Sequence, residues 1–339
     1  MRKRSEKMQV SSGHQRWRAS VLSVLTLTAI AGLQVPAHAE TYPAKPIRMI
    51  VPFAPGGGAD LIARTLAQRL STTWKQPVVS QNIAGAAGNL AAATAAASQP
   101  DGYTLFFATI PIIVSNPALY EKLPFNPDRD FSPVIYIGEG PHVLLVSSTF
   151  KATKVSELIA LAKERPGQLN FGSGGVGTSL HLAGEYFKTR AGIDIVHVPF
   201  KVAAPAIAAM MGNEIQMLFD NGASAIGHIR SGRTRGLGIA AGNRSPVLPE
   251  VPTFEESGIS NFHSGVGHSL YVRSGTPLAI VQIVNRTVNA VLQDAEYKQQ
   301  LTALAYDIAG GTPEQLKAHI ESERKKWLPI IRAQKIKAE

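Results

Sequence analysis

Short apolar runs and helix-spaced apolar positions alternate along the chain. Ile47 to Phe53 is the first predicted strand, and a helix over 59–70 follows it with apolar residues at Ile62, Leu66 and Leu70. Further strands are predicted at 77–79, 103–108, 143–147, 169–171, 195–198, 215–219 and 237–240, and further helices at 90–97, 155–163, 204–211, 277–292 and from 313. Because strands alternate with helices, we predict an α/β fold of parallel, doubly wound sheets, with ligands bound at the carboxyl ends of the strands.

Two glycine-rich loops follow strands in this pattern. The first is Phe53–Asp60 (FAPGGGAD), and the second is Gly172–Thr178 (GSGGVGT). A strand, a glycine turn and a helix N-terminus together present backbone N–H groups to an anion. We therefore expect two anion-binding loops, one in each half of the chain, that face each other across a cleft.

The first 39 residues have the features of a secretory signal peptide. A basic start is followed by the apolar run Val21–Leu33, and Ala37 and Ala39 place small residues where a signal peptidase cleaves. The apolar run is shorter than the ~20 residues that span a bilayer. We predict cleavage after Ala39 and export to the periplasm by the general secretion route.

The remaining 300 residues exceed one ordinary core, so we expect two lobes. The predicted first lobe consists of 40–143 and 245–339, and the second is 144–244, with chain crossings near Leu145 and Ala241.

Composition narrows the classes of function. The whole chain has a formal charge of +10 and no cysteine, and six of its 34 basic residues lie in the leader. The excess that remains is modest and contains no Lys/Arg block, so we expect no nucleic-acid partner. Without cysteine we expect no disulfide framework and no lipid anchor, and therefore a freely diffusing protein. We also expect a monomer. Zinc-protease, P-loop and nucleophile-elbow motifs are absent from the sequence. The second loop fits G-x-G-x-x-G, but Asp194 precedes the following strand instead of ending it, which argues against a dinucleotide cofactor.

Several stretches resemble one known family, in family order and over almost the whole exported chain. They are Tyr42–Arg48, Pro55–Asp60, Ala84–Asn89, Pro100–Thr104, Gly177–Glu185, Val196–Lys201 and Phe219–Asn221. These stretches resemble the periplasmic substrate-binding receptors of tripartite tricarboxylate transporters, the Bug family. The resemblance implies a two-lobed periplasmic-binding-protein fold of the Venus flytrap, type II-like kind. It also implies capture of a di- or tricarboxylate or an aromatic acid for membrane transporter subunits, without catalysis, cofactor or metal.

Residue chemistry and the resemblance together indicate a set of ligand-binding residues. They are Phe53, Gly56, Gly57, Gly58, Asp60, Thr109, Ser173, Gly177, Thr178, Ser179, His181, Lys201 and Asp220. Asp60 fits a helix-start residue equally well, and Thr178 fits an N-cap with or without a ligand. His181 is either a buried histidine or a ligand contact, and Lys201 a solvated charge or a contact. His268 and Arg273, which depart from the family pattern, are interpreted as surface residues.

Two alternative functions stay open at this point. An exported hydrolase would use a glycine loop as an oxyanion hole, with Ser173, Ser179 and His181 as candidates for nucleophile and base. A sensory protein would present its ligand-bound form to a signalling partner.

Overall fold

A computed structural model of the protein describes residues 42–201 and 203–338, so the predicted signal peptide at 1–39 lies outside the described residues. The strands are β1 (Ile47–Val51), β2 (Val78–Asn82), β3 (Thr104–Thr109), β4 (Phe131–Ser147), β5 (Asn170–Ser173), β6 (Val196–Pro199), β7 (Met217–Asn221), β8 (Thr234–Ile239), β9 (Gly265–Arg273) and β10 (Asp307–Ile308). The helices are α1 (Gly58–Trp74), α2 (Asn89–Ala96), α3 (Ile110–Val114), α4 (Asn116–Leu119), α5 (Pro127–Asp130), α6 (Val155–Glu164), α7 (Ser179–Ala191), α8 (Ala203–Met211), α9 (Gly222–Arg230), α10 (Leu278–Gln293), α11 (Ala295–Thr302) and α12 (Pro313–Ala333).

The 17-residue strand β4 lies at the centre of the sheet. The strand order is β2-β1-β3-β9-β4-β7-β5-β6, and β8 and β10 also pair with β4. Residues 131–141 of β4 pair with β9, whereas residues 142–147 pair with β7 and β8. We call the strands on the β9 side the first half-sheet and those on the β7 side the second half-sheet.

The prediction of fully parallel sheets is wrong at the centre. Strands β1, β2 and β3 are parallel to one another, as are β5, β6 and β7. Pairs β3–β9, β9–β4, β4–β7 and β4–β8 are antiparallel. The chain passes from one half-sheet to the other along β4 itself. The predicted strand at 143–147 is only the end of β4. Residues 131–142 gave no strand signal, because Pro133 and Pro141 are unfavourable inside a sheet.

Each half-sheet has hydrophobic clusters built by its flanking helices. In the first half, α1 and α10 contribute to one cluster, in which Val284, Val288 and Leu292 of α10 are fully buried at the predicted helical spacing. A second cluster contains α2, α3 and α12, and it also takes in Leu182 of α7. Two further clusters surround the second half-sheet. The described residues from Tyr42 onward therefore form one compact unit.

None of the helices in the described part of the chain is both long and apolar enough to cross a bilayer.

Two buried histidines and the half-buried Glu139, all near the centre of the sheet, make the stability of the fold depend on pH. Burial lowers the pKa of His142 and of His268 to about 3, and it raises the pKa of Glu139 to about 7. Between pH 7 and pH 5 each histidine should cost about 2 kcal/mol, because the unfolded chain binds a proton that the folded state excludes. Glu139 should offset about 2 kcal/mol of this loss. Its pKa is higher in the folded state than in the unfolded chain, so on acidification the folded state takes up the proton at a higher pH and is stabilised.

We therefore expect these groups to lower the unfolding free energy by about 2 kcal/mol on acidification, and by about 4 kcal/mol in Glu139→Gln. Urea unfolding at pH 7 and pH 5 measures the difference between the two proteins, about 2 kcal/mol, because the contribution of other groups such as His197 is common to both. The variant of the exposed His263, His263→Gln, should behave like the unmodified chain. Equal pH dependence in Glu139→Gln and the unmodified chain would contradict the assignment.

Candidate functional site

The carboxyl ends of strands from both half-sheets converge on residues 138–142 of β4. Thr109, the last residue of β3, pairs with His268 of β9, which in turn pairs with Gly138. Asn221, the last residue of β7, pairs with His142. Because β1 lies beside β3 and β5 lies beside β7, the glycine loops that follow β1 and β5 lie along these two converging edges. This junction is the candidate ligand site.

The first glycine loop is exposed to solvent, and hydrogen bonds to the buried Asp60 hold it in place. Gly56, Gly57 and Gly58 are exposed, and Phe53 is 36% exposed. Asp60 is only 2% exposed, and its Oδ2 accepts hydrogen bonds from the Gly56 N–H and from Arg64 Nε, both at 2.8 Å. Desolvation acts to raise the pKa of Asp60, but these hydrogen bonds together hold it below its usual value. The carboxylate therefore organises the loop, which agrees with its interpretation as a helix-start residue.

The N-terminus of α1 keeps free donors. Its N-cap, Gly57, has no side chain to accept a hydrogen bond, and the first helical bond runs from the Leu61 N–H to the Gly57 carbonyl. The N–H groups of Gly58, Ala59 and Asp60 have no acceptor among the described residues. An exposed helix N-terminus with three free donors is suited to bind a carboxylate.

The three glycines of this loop differ in what the fold requires of them. Gly56 has φ +86°, a conformation that favours glycine. Gly57 and Gly58 have no positive φ, and a Cβ at Gly58 would meet nothing within 4 Å. At Gly57 the nearest atom would be the Ala54 carbonyl oxygen, at 3.8 Å. The fold therefore does not explain glycine at positions 57 and 58.

The second glycine loop satisfies more of its own donors. The Gly177 N–H donates to His181 Nδ1 at 3.0 Å, and Thr178 Oγ1 accepts from the His181 N–H as the N-cap of α7. The Thr178 interpretation is confirmed. Among the described residues, the N–H groups of Ser179 and Leu180 have no acceptor. Gly177 is buried and Ser179 is half-buried, so fewer donors are open here than in the first loop.

His181 is a buried histidine that supports this loop. It is 5% exposed, and its ring stacks on His197 with 3.7 Å between the ring centroids. Its Nε2 lies 3.7 Å from a carboxylate oxygen of Glu185. Since Nδ1 accepts the Gly177 N–H, the neutral ring carries its proton on Nε2, on the side of Glu185.

The structure pairs Ser173 with His197, a contact that the sequence analysis missed. Ser173 Oγ lies 2.7 Å from His197 Nε2 and also bonds to the Gly175 backbone. Burial, together with the neighbouring His181, lowers the pKa of His197 to about 3. The two residues are 24 positions apart, and they meet because β5 and β6 are parallel neighbours. Ser173 is 1% exposed, so its hydroxyl is not presented to solvent.

Asp220 brings an unpartnered carboxylate oxygen to the junction. Asp220 is 1% exposed, and its Oδ1 accepts the N–H of Asn221 at 2.8 Å. Its Oδ2, Asn221 Oδ1 and His142 Nε2 have no hydrogen-bond partner among the described residues. Burial raises the pKa of Asp220, against the hydrogen bond from the Asn221 N–H. Buried polar atoms without partners are uncommon, which favours a ligand or water at this position. Asp220 was predicted from its position at a strand end, whereas no sequence pattern pointed to His142.

The other residues singled out from the sequence show no contact within the described part of the chain that points to a ligand. Thr109 is 2% exposed at the start of α3, and Lys201 is exposed after β6. The interpretation of His268 as a surface residue is wrong. It is 3% exposed, stacks on Phe107, and has Nδ1 3.2 Å from Tyr306 Oη. Arg273 is half-buried and pairs with Asp130 at 3.2 Å.

Two half-sheets joined through a shared strand, with exposed helix N-terminal amides at the junction, define a solute-binding protein. A model of the tripartite tricarboxylate transporter family receptor (TctC) matches residues 62–336. The chain belongs to this family. It is 36% identical to the protein BugT of Bordetella pertussis over 306 residues, which is 90% of this chain and 94% of BugT. The resemblance to the Bug receptors is thereby confirmed.

Solved structures confirm the predicted class of fold. Rpa4515 of R. palustris, solved with adipate, superposes with a TM-score of 0.79 at 32% identity, covering 87% of this chain and 99% of that one. MatC of Rhodopseudomonas palustris, solved with bound malate, gives a TM-score of 0.74 at 30% identity, covering 86% and 100%. The homologues are solute-binding receptors, and members of the family are periplasmic.

Proposed function

We propose that this protein binds a small dicarboxylate at the junction of the two half-sheets and delivers it to membrane transporter subunits. The observation that carries the proposal is the N-terminus of α1, where the N–H groups of Gly58–Asp60 have no acceptor among the described residues and glycines 57 and 58 leave open space beside them. The adipate and malate held by the two structural neighbours are both dicarboxylates.

The energetics favour a doubly charged ligand. A carboxylate at a helix N-terminus gains ~0.3–1 kcal/mol from the helix dipole, and up to ~2 kcal/mol when partly buried. Each hydrogen bond to a charged group adds ~1.5–3 kcal/mol. One carboxylate would bind the amides at α1, and the other the free N–H groups of Ser179 and Leu180 at α7. Only a ligand with two acidic ends uses both sets of donors, so such a ligand favours the arrangement that brings the loops together.

The proposed function requires two lobes that can move relative to each other. We propose that β4 and β9 connect two lobes that close on the ligand. The pairing of β4 changes from β9 to β7 between residues 141 and 142, which favours a first crossing there rather than near Leu145. Phe254 and Phe262 pack in a cluster of the second half-sheet, which favours a return to the first lobe at β9 rather than near residue 244. Cleavage after Ala39, action in the periplasm and a monomeric state complete the proposal, which contains no catalytic step. The burial of the Ser173 hydroxyl supports binding without chemistry.

A thermal-shift screen of the exported chain tests the function. We expect at least one acid from a panel of dicarboxylates, tricarboxylates and aromatic acids to raise the melting temperature. A ligand at a hundredfold its Kd adds ~2.7 kcal/mol to the unfolding free energy. The diamide of an active acid is the matched control, because it keeps the carbon skeleton and lacks both charges. A panel without any shift, or an equal shift with the diamide, would overturn the proposal.

A further inference from the structure

Three side chains close a hydrogen-bond network behind the first glycine loop. Besides the Gly56 N–H, Asp60 binds Arg64 Nε through Oδ2 and Asn82 Nδ2 through Oδ1, each at 2.8 Å. Arg64 Nη2 donates to Asn82 Oδ1 at 2.7 Å, which closes the ring of contacts. Asn82 Nδ2 also donates to the Phe53 carbonyl at 2.9 Å.

We propose that Arg64 and Asn82 are positioning residues for the ligand, acting through Asp60 and the loop. This inference rests on the proposed binding of a carboxylate at the N-terminus of α1. The network holds the loop at two points, the Phe53 carbonyl and the Gly56 N–H. Those points bracket the turn in which Gly56 takes φ +86°. The free amides of Gly58–Asp60 begin directly after it.

Arg64 also has an electrostatic role, which is to compensate the negative charge of Asp60. Asp60 is ionised at neutral pH because its hydrogen bonds hold its pKa below the usual value. Its carboxylate is buried behind the amides that would bind an anion, so without compensation it would repel the ligand. The Arg64 guanidinium bonds directly to that carboxylate and neutralises it. Because Arg64 neutralises Asp60, the Asp60 carboxylate can hold the loop without repelling a carboxylate ligand.

The two roles predict that a second substitution, at Asp60, restores the carboxylate affinity that is lost in Arg64→Gln. Arg64→Gln leaves the Asp60 charge uncompensated, and we expect carboxylate affinity to fall about tenfold. In Asp60→Asn/Arg64→Gln the charge is gone as well, and we expect affinity within about threefold of the unmodified protein. Asn82→Ala loses the tie to Phe53 and should weaken binding about fivefold. A role limited to stability would not produce recovery in the double variant.

The experiment titrates the exported chain with adipate and with malate by calorimetry, and measures the unfolding free energy of each variant in parallel. Arg244→Gln is the matched control, since Arg244 also pairs with a carboxylate, that of Glu256, outside the junction. The control should bind both acids like the unmodified chain. Unchanged affinity in Arg64→Gln, or a double variant as weak as Arg64→Gln, would overturn the inference. If Arg64→Gln fails to fold, Arg64→Lys keeps the charge beside Asp60 but loses the forked contact to Asn82, so it should weaken binding no more than Asn82→Ala does; a larger loss would overturn the electrostatic role.

Failure of the proposed function would be visible separately. If the unmodified chain binds no acid of the panel, the receptor proposal fails on its own. Hydrogen exchange at the Gly56 N–H then tests the network without a ligand. We expect Asn82→Ala to accelerate that exchange and Arg244→Gln to leave it unchanged. Exchange at Gly56 that is as fast in the unmodified chain as in Asn82→Ala would overturn the positioning role.

Discussion

Gly58→Ala should weaken carboxylate binding more than tenfold while leaving the free protein at least as stable as the unmodified chain. Gly58 is the first residue of α1, and an added methyl group would meet no protein atom within 4 Å. Alanine favours a helix over glycine by ~1 kcal/mol, so the free protein gains stability. The same methyl group would occupy the space through which a carboxylate approaches the free amides, and each tenfold loss of affinity corresponds to ~1.4 kcal/mol.

Gly227→Ala is the matched control for this substitution. Gly227 lies within α9, has no positive φ, and has open space around the position of its Cβ. We expect a similar gain in unfolding free energy from this variant and no change in affinity. Calorimetric titration with adipate or malate, together with urea unfolding, measures both quantities. Undiminished binding by Gly58→Ala would show that the ligand does not approach α1 at this residue.

Gly177→Ala should lower the unfolding free energy by about 3 kcal/mol, from two separate causes. Gly177 has φ +78°, a conformation that costs other residues ~1–2 kcal/mol. Its added Cβ would also lie 2.7 Å from Leu119 Cδ1, and overpacking of this kind costs ~1–3 kcal/mol. Leu119 lies in α4, among the residues of the first half-sheet, so this contact joins the second glycine loop to the other half of the molecule.

A double-mutant cycle with Leu119→Ala separates the two causes. The double variant should be more stable than the sum of the single effects predicts, by about 1 kcal/mol, because the clash is relieved and only the backbone strain is left. Gly192→Ala is the control for strain alone, since Gly192 has φ +59° and no atom within 4 Å of the added Cβ. Urea unfolding of the four proteins gives the coupling. Strict additivity would mean that Leu119 does not restrain the loop.

The sequence predicted elements well where the signal is local. The spacing of Val284, Val288 and Leu292 predicted α10, and these residues are buried on one face. Thr312 begins α12 with a capping box that includes Gln315, which confirms the predicted start. Both glycine loops follow strands and precede helices, as predicted. Such features depend on contacts within a few residues, so one stretch of sequence contains all the information that they require.

Contacts between distant residues leave no local pattern in the sequence. Strand β9 was not predicted, because Gly265, Gly267, His268 and Ser269 give no apolar alternation, yet β9 pairs with both β3 and β4. The pairing of Ser173 with His197 and the tie from Asn82 to the first loop depend on neighbouring strands. Neither contact has a signature in the order of the residues.

The sequence by itself determined the family, the class of fold and the two loops that begin helices, because glycine conformation and helix spacing are local properties. Only the tertiary structure decided which amides are free. Asp60 accepts the Gly56 N–H and His181 accepts the Gly177 N–H, whereas the N–H groups of Gly58–Asp60 have no acceptor in the part of the chain that the structure describes. A donor is available to a ligand only when no other part of the folded chain has taken it, and that depends on every residue that the fold brings near.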